Sequence, residues 1–224
     1  MTETVLAIVA HPDDEVLGAG GTLARHAANG AAVHLLFLAD GTGARGADQR
    51  AVARRVQAAR SAASLLGCHE PQFFQFPDNR LDQVDLLDIT QVIEGAIARI
   101  APSTVYTHHA GDLNLDHVLC HRAVLTACRP KPGSSVRRIY AIEVPSSTEW
   151  NSPSETNAFL PTRFVDITAT AVSKRRALEA YTEEMRPFPH PRSFQAIDAL
   201  AAWRGASSGL KIAEAFMVIR DIEP

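Results

Sequence analysis

The residues best suited to chemistry lie in one short segment, Ala10-His11-Pro12-Asp13-Asp14-Glu15. It holds one imidazole and three carboxylates, and carboxylates this close repel one another unless a cation or a special role holds them. A divalent metal ion is the simplest explanation, because it supplies the missing positive charge. The alternative is an ordinary turn with an aspartate at the start of a helix, since Asp and Pro both favour turns.

A second polar segment, His108-His109-Ala110-Gly111-Asp112-Leu113-Asn114-Leu115-Asp116-His117, is followed one helical turn later by His121. If the two segments meet, His11, Asp14 and His117 supply two imidazoles and one carboxylate. That set suits a catalytic zinc ion with one position left open for water. Because such a site needs only three protein ligands, we expect His121 to be a packed or surface residue.

Asp116, directly before His117, is expected either to support a metal ligand from behind or to cap a helix. His108 and His109 cannot both point into one site from the end of a strand, because consecutive strand residues face opposite sides. The segment Gly18-Ala19-Gly20-Gly21 suggests a dinucleotide loop only weakly. Its spacing is wrong for that motif, and the nearby carboxylates would repel a pyrophosphate.

Both polar segments follow apolar runs that read as buried parallel strands. The pattern predicts strands at 5–10, 33–38, 72–76, 103–107 and 138–144, separated by helices at about 18–29, 47–66, 86–100 and 116–128, with a loop at 42–46. This alternation predicts an α/β fold, a Rossmann-like, doubly wound and mainly parallel sheet flanked by helices. Ligands bind at the carboxyl ends of such strands, so the polar segments meet if the first and fourth strands are neighbours.

The last third of the chain is less regular. It reads as a loop over 145–161, an edge strand over 163–167, helices over 170–184 and 194–207, and a last strand over 215–220. We expect one domain over 1–224, with its core in about 1–144 and with 145–224 completing the site. A chain of 224 residues is long enough for one substantial core, and two full domains are unfavoured.

Composition and charge exclude several classes of protein. The net charge of -3 argues against nucleic acid or an acidic membrane as the main partner. No apolar run approaches the roughly 18 residues of a membrane span, and the acidic start Met1-Thr2-Glu3-Thr4 does not resemble a signal peptide. Three cysteines, Cys68, Cys120 and Cys128, do not form an even disulfide framework. Their number fits a protein of the reducing cytoplasm. The sequence leaves open whether the protein forms a homo-oligomer.

Taken together, Ala-His-Pro-Asp-Asp-Glu after the first strand and Asn-Leu-Asp-His before the fourth helix resemble the motifs of the PIG-L/LmbE-like family of zinc-dependent N-acetylglucosamine deacetylases. The resemblance covers nearly the whole chain and implies the family's Rossmann-like layer. It also implies that His11, Asp14 and His117 bind the metal and that Asp13 is the general base. The native metal stays open, because two His and one Asp would also hold Fe²⁺ or Co²⁺.

The second motif matches the family's His-x-Asp-His only in its last two positions. Asn114 stands where many relatives carry a histidine, and asparagine can donate a hydrogen bond to an oxyanion but cannot transfer a proton. The departing amine could instead regain its proton from Asp13 or from His190, whose two flanking prolines stiffen its backbone. The alternative for His190 is a rigid surface turn.

Four further residues are candidates for binding the substrate. Arg80 and Arg192 could bind hydroxyls, a phosphate or a carboxylate, or could equally form structural ion pairs. Trp150, in the loop that we expect at the mouth of the pocket, could stack on a sugar ring, and Asp112 is assigned to the substrate as well.

The predicted function is removal of the acetyl group from an N-acetylated amino sugar or sugar conjugate, with Asp13 taking a proton from water that zinc has acidified. One alternative is an amidase that cleaves a larger acyl group or a thiol-sugar conjugate. Another is a metal-stabilised sugar-binding protein without catalysis. The spare carboxylate of Asp13 beside Asp14 argues against the latter, because a purely structural site has no use for it.

Overall fold

The computed structural model describes residues 2–41, 43 and 49–223. The strands are β1 (Thr4–Val9), β2 (Ala32–Ala39), β3 (Gln72–Phe76), β4 (Thr104–His108), β5 (Arg138–Ile142), β6 (Arg163–Asp166) and β7 (Ala213–Asp221). The α-helices are α1 (Asp14–Ala28), α2 (Gln49–Leu66), α3 (Leu86–Ile100), α4 (Leu115–Ala127), α5 (Ala171–Ala180) and α6 (Phe194–Ala206). Short 3₁₀ turns lie at Leu81–Gln83 and Thr148–Trp150.

The strands form one sheet in the order β3-β2-β1-β4-β5-β7-β6. The strands β1 to β5 are parallel, whereas β7 runs antiparallel to both β5 and β6. The predicted α/β fold with a mainly parallel sheet is therefore confirmed. The condition for the two polar segments to meet is also fulfilled, because β1 and β4 are neighbours and Ala7 of β1 pairs with Tyr106 of β4. The strand order reverses at this pair, which is where ligands bind in doubly wound sheets.

A hydrophobic core lies on each face of the sheet, which explains why the strands are apolar throughout. Along β1, Val5 and Ala7 pack into the core that also contains residues of α1, α2, α5 and α6. The alternate residues Leu6 and Ile8 pack into the second core, with residues of α3 and α4. This alternation is the two-residue period of a strand that is covered on both sides.

Two predicted helix boundaries are wrong, and both errors lie near the polar residues. Helix α1 begins at Asp14 and not near 18, so Asp14 and Glu15 occupy its first turn, where the helix dipole favours acids. Helix α5 ends at Ala180 and not at 184, because the following residues turn toward α1 and α2, where the Tyr181 hydroxyl donates to Glu15. The predicted loop at 42–46, apart from Gly43, and the predicted helix start at 47–48 lie outside the described residues.

The glycines of α1 allow the helix to pack closely against its neighbours. A Cβ atom on Gly18 would lie 2.8 Å from Ile142, and one on Gly21 would lie 2.8 Å from Ile167. The backbone N–H of Gly21 also donates to the buried carboxylate of Glu214. These glycines therefore serve packing, and no dinucleotide loop is needed to explain them.

Replacing Gly21 with alanine should lower the free energy of unfolding by about 1–3 kcal/mol, because the added methyl overlaps a well-packed side chain. The matched control is Gly95→Ala in α3, where nothing lies within 4 Å of the new Cβ. That change should raise stability by about 0.5–1 kcal/mol, since alanine favours the helix. Urea unfolding of both variants measures the difference, and equal stabilities would contradict the close-packing explanation.

The cysteines agree with the expectation from sequence: Cys68, Cys120 and Cys128 are all free thiols, and the last two are buried in the core. Over the described residues, no helix combines the length and apolar character needed to cross a bilayer.

Candidate metal centre

The three candidate ligands come together at the carboxyl end of β1 and β4. His11 follows β1, Asp14 begins α1, and His117 lies in the first turn of α4. Asp14 Oδ2 lies 3.4 Å from His11 Nδ1 and 3.3 Å from His117 Nε2. All three side chains are buried, and their ligand atoms lie within 4.8 Å of one another. Two imidazole nitrogens and one carboxylate oxygen match the donors of a catalytic zinc site with an open position.

Two observations show that this cluster suits a cation. Asp14 Oδ1 is buried and has no hydrogen-bond partner among the described residues, so it is available as a ligand atom. Burial opposes charge on His117, yet the carboxylates of Asp14 and Asp112 raise the pKa of this imidazole to about 9. Burial likewise opposes charge on Asp14, but His117, His11 and His108 hold the pKa of its carboxyl well below the usual value. The Asp14 carboxyl therefore stays ionised, as a metal ligand must, and the carboxylates around His117 favour positive charge there.

The other nitrogen of His11 faces a pair of carboxylates. Nε2 lies 3.1 Å from Asp78 Oδ1 and 3.1 Å from Asp116 Oδ2. Asp116 also accepts hydrogen bonds from the backbone N–H groups of Asn79 and Leu81. Although His11, Asp78 and Asp116 also form a group that could hold a cation, the oxygens of Asp116 are already occupied. We therefore read this group as the support that turns Nδ1 of His11 toward Asp14 and His117.

Asp116 is thus placed behind the candidate ligand His11, and the alternative that it caps helix α4 is wrong. The capping residue is Asn114, whose Oδ1 accepts from the backbone N–H of Asp116 at 2.8 Å. Its Nδ2 donates to Asn79 Oδ1 at 3.1 Å. The amide NH₂ of Asn114 carries two N–H groups, and among the described residues only one of them is used, so the role of Asn114 as an oxyanion donor stays a prediction.

Asp112 was predicted to bind the substrate, and the structure places it against His117. It is buried, and its Oδ1 lies 3.1 Å from His117 Nδ1. The Ser147 hydroxyl donates to Oδ1, and the Thr148 hydroxyl donates to Oδ2 at 2.7 Å. The assignment to substrate is corrected, because protein donors hold both oxygens and the carboxylate instead orients a candidate ligand.

Replacing Asp112 with alanine should weaken metal binding by about 10–100-fold, the usual cost of losing the carboxylate behind a ligating histidine. The control is Asp82→Ala, an exposed residue of the turn Leu81–Gln83, which should leave the affinity unchanged. Competition with a chromogenic zinc chelator gives both values. Wild-type affinity in the Asp112 variant would show that this contact does not support the metal.

Asp13 lies beside the cluster without belonging to it. It occupies the residue before α1 with φ 117°, but its side chain makes no cap hydrogen bond. Its Oδ2 accepts from Arg192 Nη1 at 2.8 Å and lies 3.5 Å from Arg55 Nη2. Burial raises the pKa of the Asp13 carboxyl, and the two guanidiniums oppose that rise. The alternative of a simple aspartate cap is therefore wrong.

Arg192 was predicted either to bind the substrate or to form an ion pair, and the structure shows the ion pair, with Asp13. Its Nε also donates to Ser146 Oγ at 2.7 Å. His190, two residues earlier, accepts from the backbone N–H of Arg192 through Nδ1, so Nε2 carries the proton of the neutral ring. Trp150 is 51% exposed and packs edge-on against His190 at 5.7 Å between ring centroids.

Arg80 is exposed on the turn after β3, and within the described part of the chain no carboxylate pairs with it. The ion-pair alternative is therefore not seen there, and a role in substrate binding stays a prediction. His121 is packed as expected, with Nδ1 on the backbone carbonyl of His108 at 2.8 Å.

Sequence reasoning missed several residues of the site. His108 stacks on the His117 ring at 3.8 Å between centroids, and Ser147 and Thr148 hold Asp112. Arg55 has a signal that was overlooked. It lies in the same helical stripe as Ala59, Ala62 and Leu66, all buried, so a charged residue there marks an unusual environment.

This chain has a doubly wound α/β fold, and its His/Asp/His cluster lies where the strand order of the sheet reverses. A protein with these two features is a candidate metal-dependent enzyme. The chain belongs to the PIG-L family, because the family model described as GlcNAc-PI de-N-acetylase matches residues 6–128. Over 148 residues it is 35% identical to the uncharacterized deacetylase YaiS of Escherichia coli, covering 64% of this chain and 75% of that protein.

The chain is also 32% identical over 157 residues to a 1D-myo-inositol 2-acetamido-2-deoxy-alpha-D-glucopyranoside deacetylase of Rhodococcus opacus. The match covers 57% of this chain and 54% of that enzyme. Among solved structures, GalB, the 4-carboxy-2-hydroxymuconate hydratase of Pseudomonas putida, is similar with a TM-score of 0.80 and 21% identity, covering 100% of this chain and 98% of that one. The latter likeness shows the fold alone.

Proposed function

We propose that the protein is a zinc-dependent N-deacetylase that removes the acetyl group from an N-acetylated amino sugar or sugar conjugate. The observation that carries the proposal is the buried cluster of His11, Asp14 and His117 with the separate carboxylate of Asp13 beside it. A purely structural metal site has no use for that carboxylate. The family model and the Rhodococcus relative, both named for N-acetylglucosamine compounds, support the reaction and the substrate class.

When bound, zinc supplies a Lewis acid that lowers the pKa of water and polarises an amide carbonyl. Asp13 then serves as the general base, because it lies next to the ligand Asp14 but belongs to neither group that could hold a cation. It accepts the proton of the attacking water and can return it to the departing amine. His190 is the second candidate for that return, since its segment reaches the site through the contact between Arg192 and Asp13.

The test is a panel of N-acetylglucosamine, its oligomers and its inositol conjugate, each incubated with zinc-loaded protein. Release of acetate together with a free amine is the expected result. The hydratase with the same fold makes an unsaturated carboxylic acid a necessary member of the panel. Hydration of that acid without any acetate release would overturn the proposal. Loading with Fe²⁺ or Co²⁺ identifies the metal that supports the highest turnover.

A second candidate, cleavage of an amide with a larger apolar group, is favoured by a cavity of about 880 Å³ beside the site. Its apolar walls come from Val144, Pro145, Phe159, Leu160, Pro189 and Leu200. Thr148 also lines it, and the hydroxyl of this residue donates to Asp112 behind His117. A series of N-acyl glucosamines of increasing chain length separates the candidates, because only the second gains rate as the acyl chain grows.

A further inference from the structure

Asp13, the proposed base, has a second cation beside it from a distant part of the chain. Arg55 lies in α2 and is 7% exposed. Its Nη2 lies 3.5 Å from Asp13 Oδ2, while its Nη1 pairs with Glu184 Oε1. Glu184 follows α5, and its other oxygen lies 3.6 Å from Arg192 Nη1. One carboxylate thus joins the two guanidiniums that contact Asp13.

Packing alone does not account for this arginine. It lies on the face of α2 that buries Ala59, Ala62 and Leu66, where an apolar side chain would serve the core. Burying a guanidinium and a carboxylate costs solvation energy, and apolar replacements of such pairs are often neutral or stabilising. The pair therefore calls for a role other than stability.

The surroundings leave Asp13 little freedom. Its backbone N–H donates to Glu15 Oε2 at 2.9 Å, and the other oxygen of Glu15 accepts from the Tyr181 hydroxyl at 2.7 Å. Both guanidiniums approach the same carboxylate oxygen, Oδ2. Within the described part of the chain, Oδ1 is therefore the oxygen left to accept a proton from water.

We propose that Arg55 and Glu184 form a positioning pair that holds Asp13 with Oδ1 presented to the water it deprotonates. This inference rests on the proposed function, because it takes Asp13 as the general base. Arg55 and Glu184 are positioning residues that act through Asp13. Their removal lowers kcat and leaves KM and the metal content unchanged.

The chain offers a matched control one residue away in both segments. Arg54 Nε pairs with Glu183 Oε1 at 2.8 Å, but these side chains are 58% and 65% exposed, against 6% and 6% for Arg55 and Glu184. Both pairs join α2 to the segment after α5, and only the inner pair reaches Asp13. The variants Arg54→Met and Glu183→Gln therefore test the loss of an ion pair at this junction without disturbing the base.

The experiment measures kcat, KM, zinc content and thermal unfolding for Arg55→Met, Arg55→Lys and the two controls. Arg55→Met removes the buried positive charge that faces Glu184 and is prone to unfold, so the double variant Arg55→Met/Glu184→Leu replaces the pair with apolar groups. We expect kcat to fall by about 100-fold in the double variant, because a catalytic group that is misplaced by about 1 Å loses rate on this scale. Arg55→Lys keeps the positive charge, so its kcat should fall less than that of the double variant. The kcat of the two control variants should match that of the wild type.

Three outcomes overturn the proposal. A folded, zinc-loaded double variant with wild-type kcat shows that the pair does not position Asp13. A raised KM with unchanged kcat assigns Arg55 to substrate binding instead. Crystal structures add a readout independent of turnover, since the Asp13 carboxylate should rotate in the double variant, and an unmoved carboxylate excludes positioning. Failure of the proposed function looks different, because the wild type itself then releases no acetate.

Discussion

Replacing Asp13 with asparagine should lower kcat by about 10²- to 10⁴-fold, the contribution typical of a positioned general base, while the protein keeps its zinc. The amide has the same shape but cannot accept the proton of the attacking water. Asparagine also tolerates positive φ better than most residues, so it suits the φ of 117° at this position. The fold and the metal cluster should therefore survive the change.

The neighbouring Asp14→Asn variant is the matched comparison. Asp14 Oδ2 faces both imidazoles, so its loss should remove the metal and the turnover together. Acetate release, zinc content and circular dichroism of both variants separate a missing base from a missing ligand. Wild-type turnover in Asp13→Asn would exclude Asp13 as the base.

Replacing His117 with alanine should abolish zinc binding, because the cluster would keep only one imidazole and one carboxylate. A ligand that binds only the folded state stabilises it by about 2.7 kcal/mol at 100 times its Kd. Zinc should therefore raise the unfolding free energy of the wild type and leave that of His117→Ala unchanged. Elemental analysis after dialysis gives the metal content directly.

His121→Asn is the control for this experiment. It lies one turn further along α4, and its Nδ1 is bound to the backbone carbonyl of His108. We expect this variant to retain zinc and its stabilising effect. If His117→Ala kept full metal content while His121→Asn lost it, the assignment of the third ligand would be reversed.

The strands and the first two candidate ligands could be predicted because local sequence specifies them. Strand β3 and helix α3 have the predicted bounds, since alternating or continuous apolar runs and helical spacing are visible in short windows. His11 and Asp14 lie three residues apart in one turn, so their proximity follows from the chain itself. Convergence with His117 needed one further assumption, that β1 and β4 are neighbours, and the sheet order supplies it.

The partners of these residues could not be read in the same way, because they come from segments far apart in the chain. The sequence predicts that Asp112 binds the substrate, whereas in the fold the hydroxyls of Ser147 and Thr148 donate to its two carboxylate oxygens. The sequence left Arg192 open between a substrate contact and an ion pair, because its partner Asp13, to which it donates, lies 179 positions away in the chain. The early end of α5 has the same origin, since Tyr181 and Glu184 leave the helix to reach Glu15 and Arg55.

The amino-acid sequence by itself determined the α/β class, the strand-end location of the chemistry and the types of residue that could hold a metal. These properties follow from periodicity and from spacing within a few residues. Only the tertiary structure decided that protein donors occupy both oxygens of Asp112 and that two cations face Asp13. Long side chains such as Arg55 and Arg192 can reach many partners, and burial together with charge pairing selects one of them only when the chain has folded.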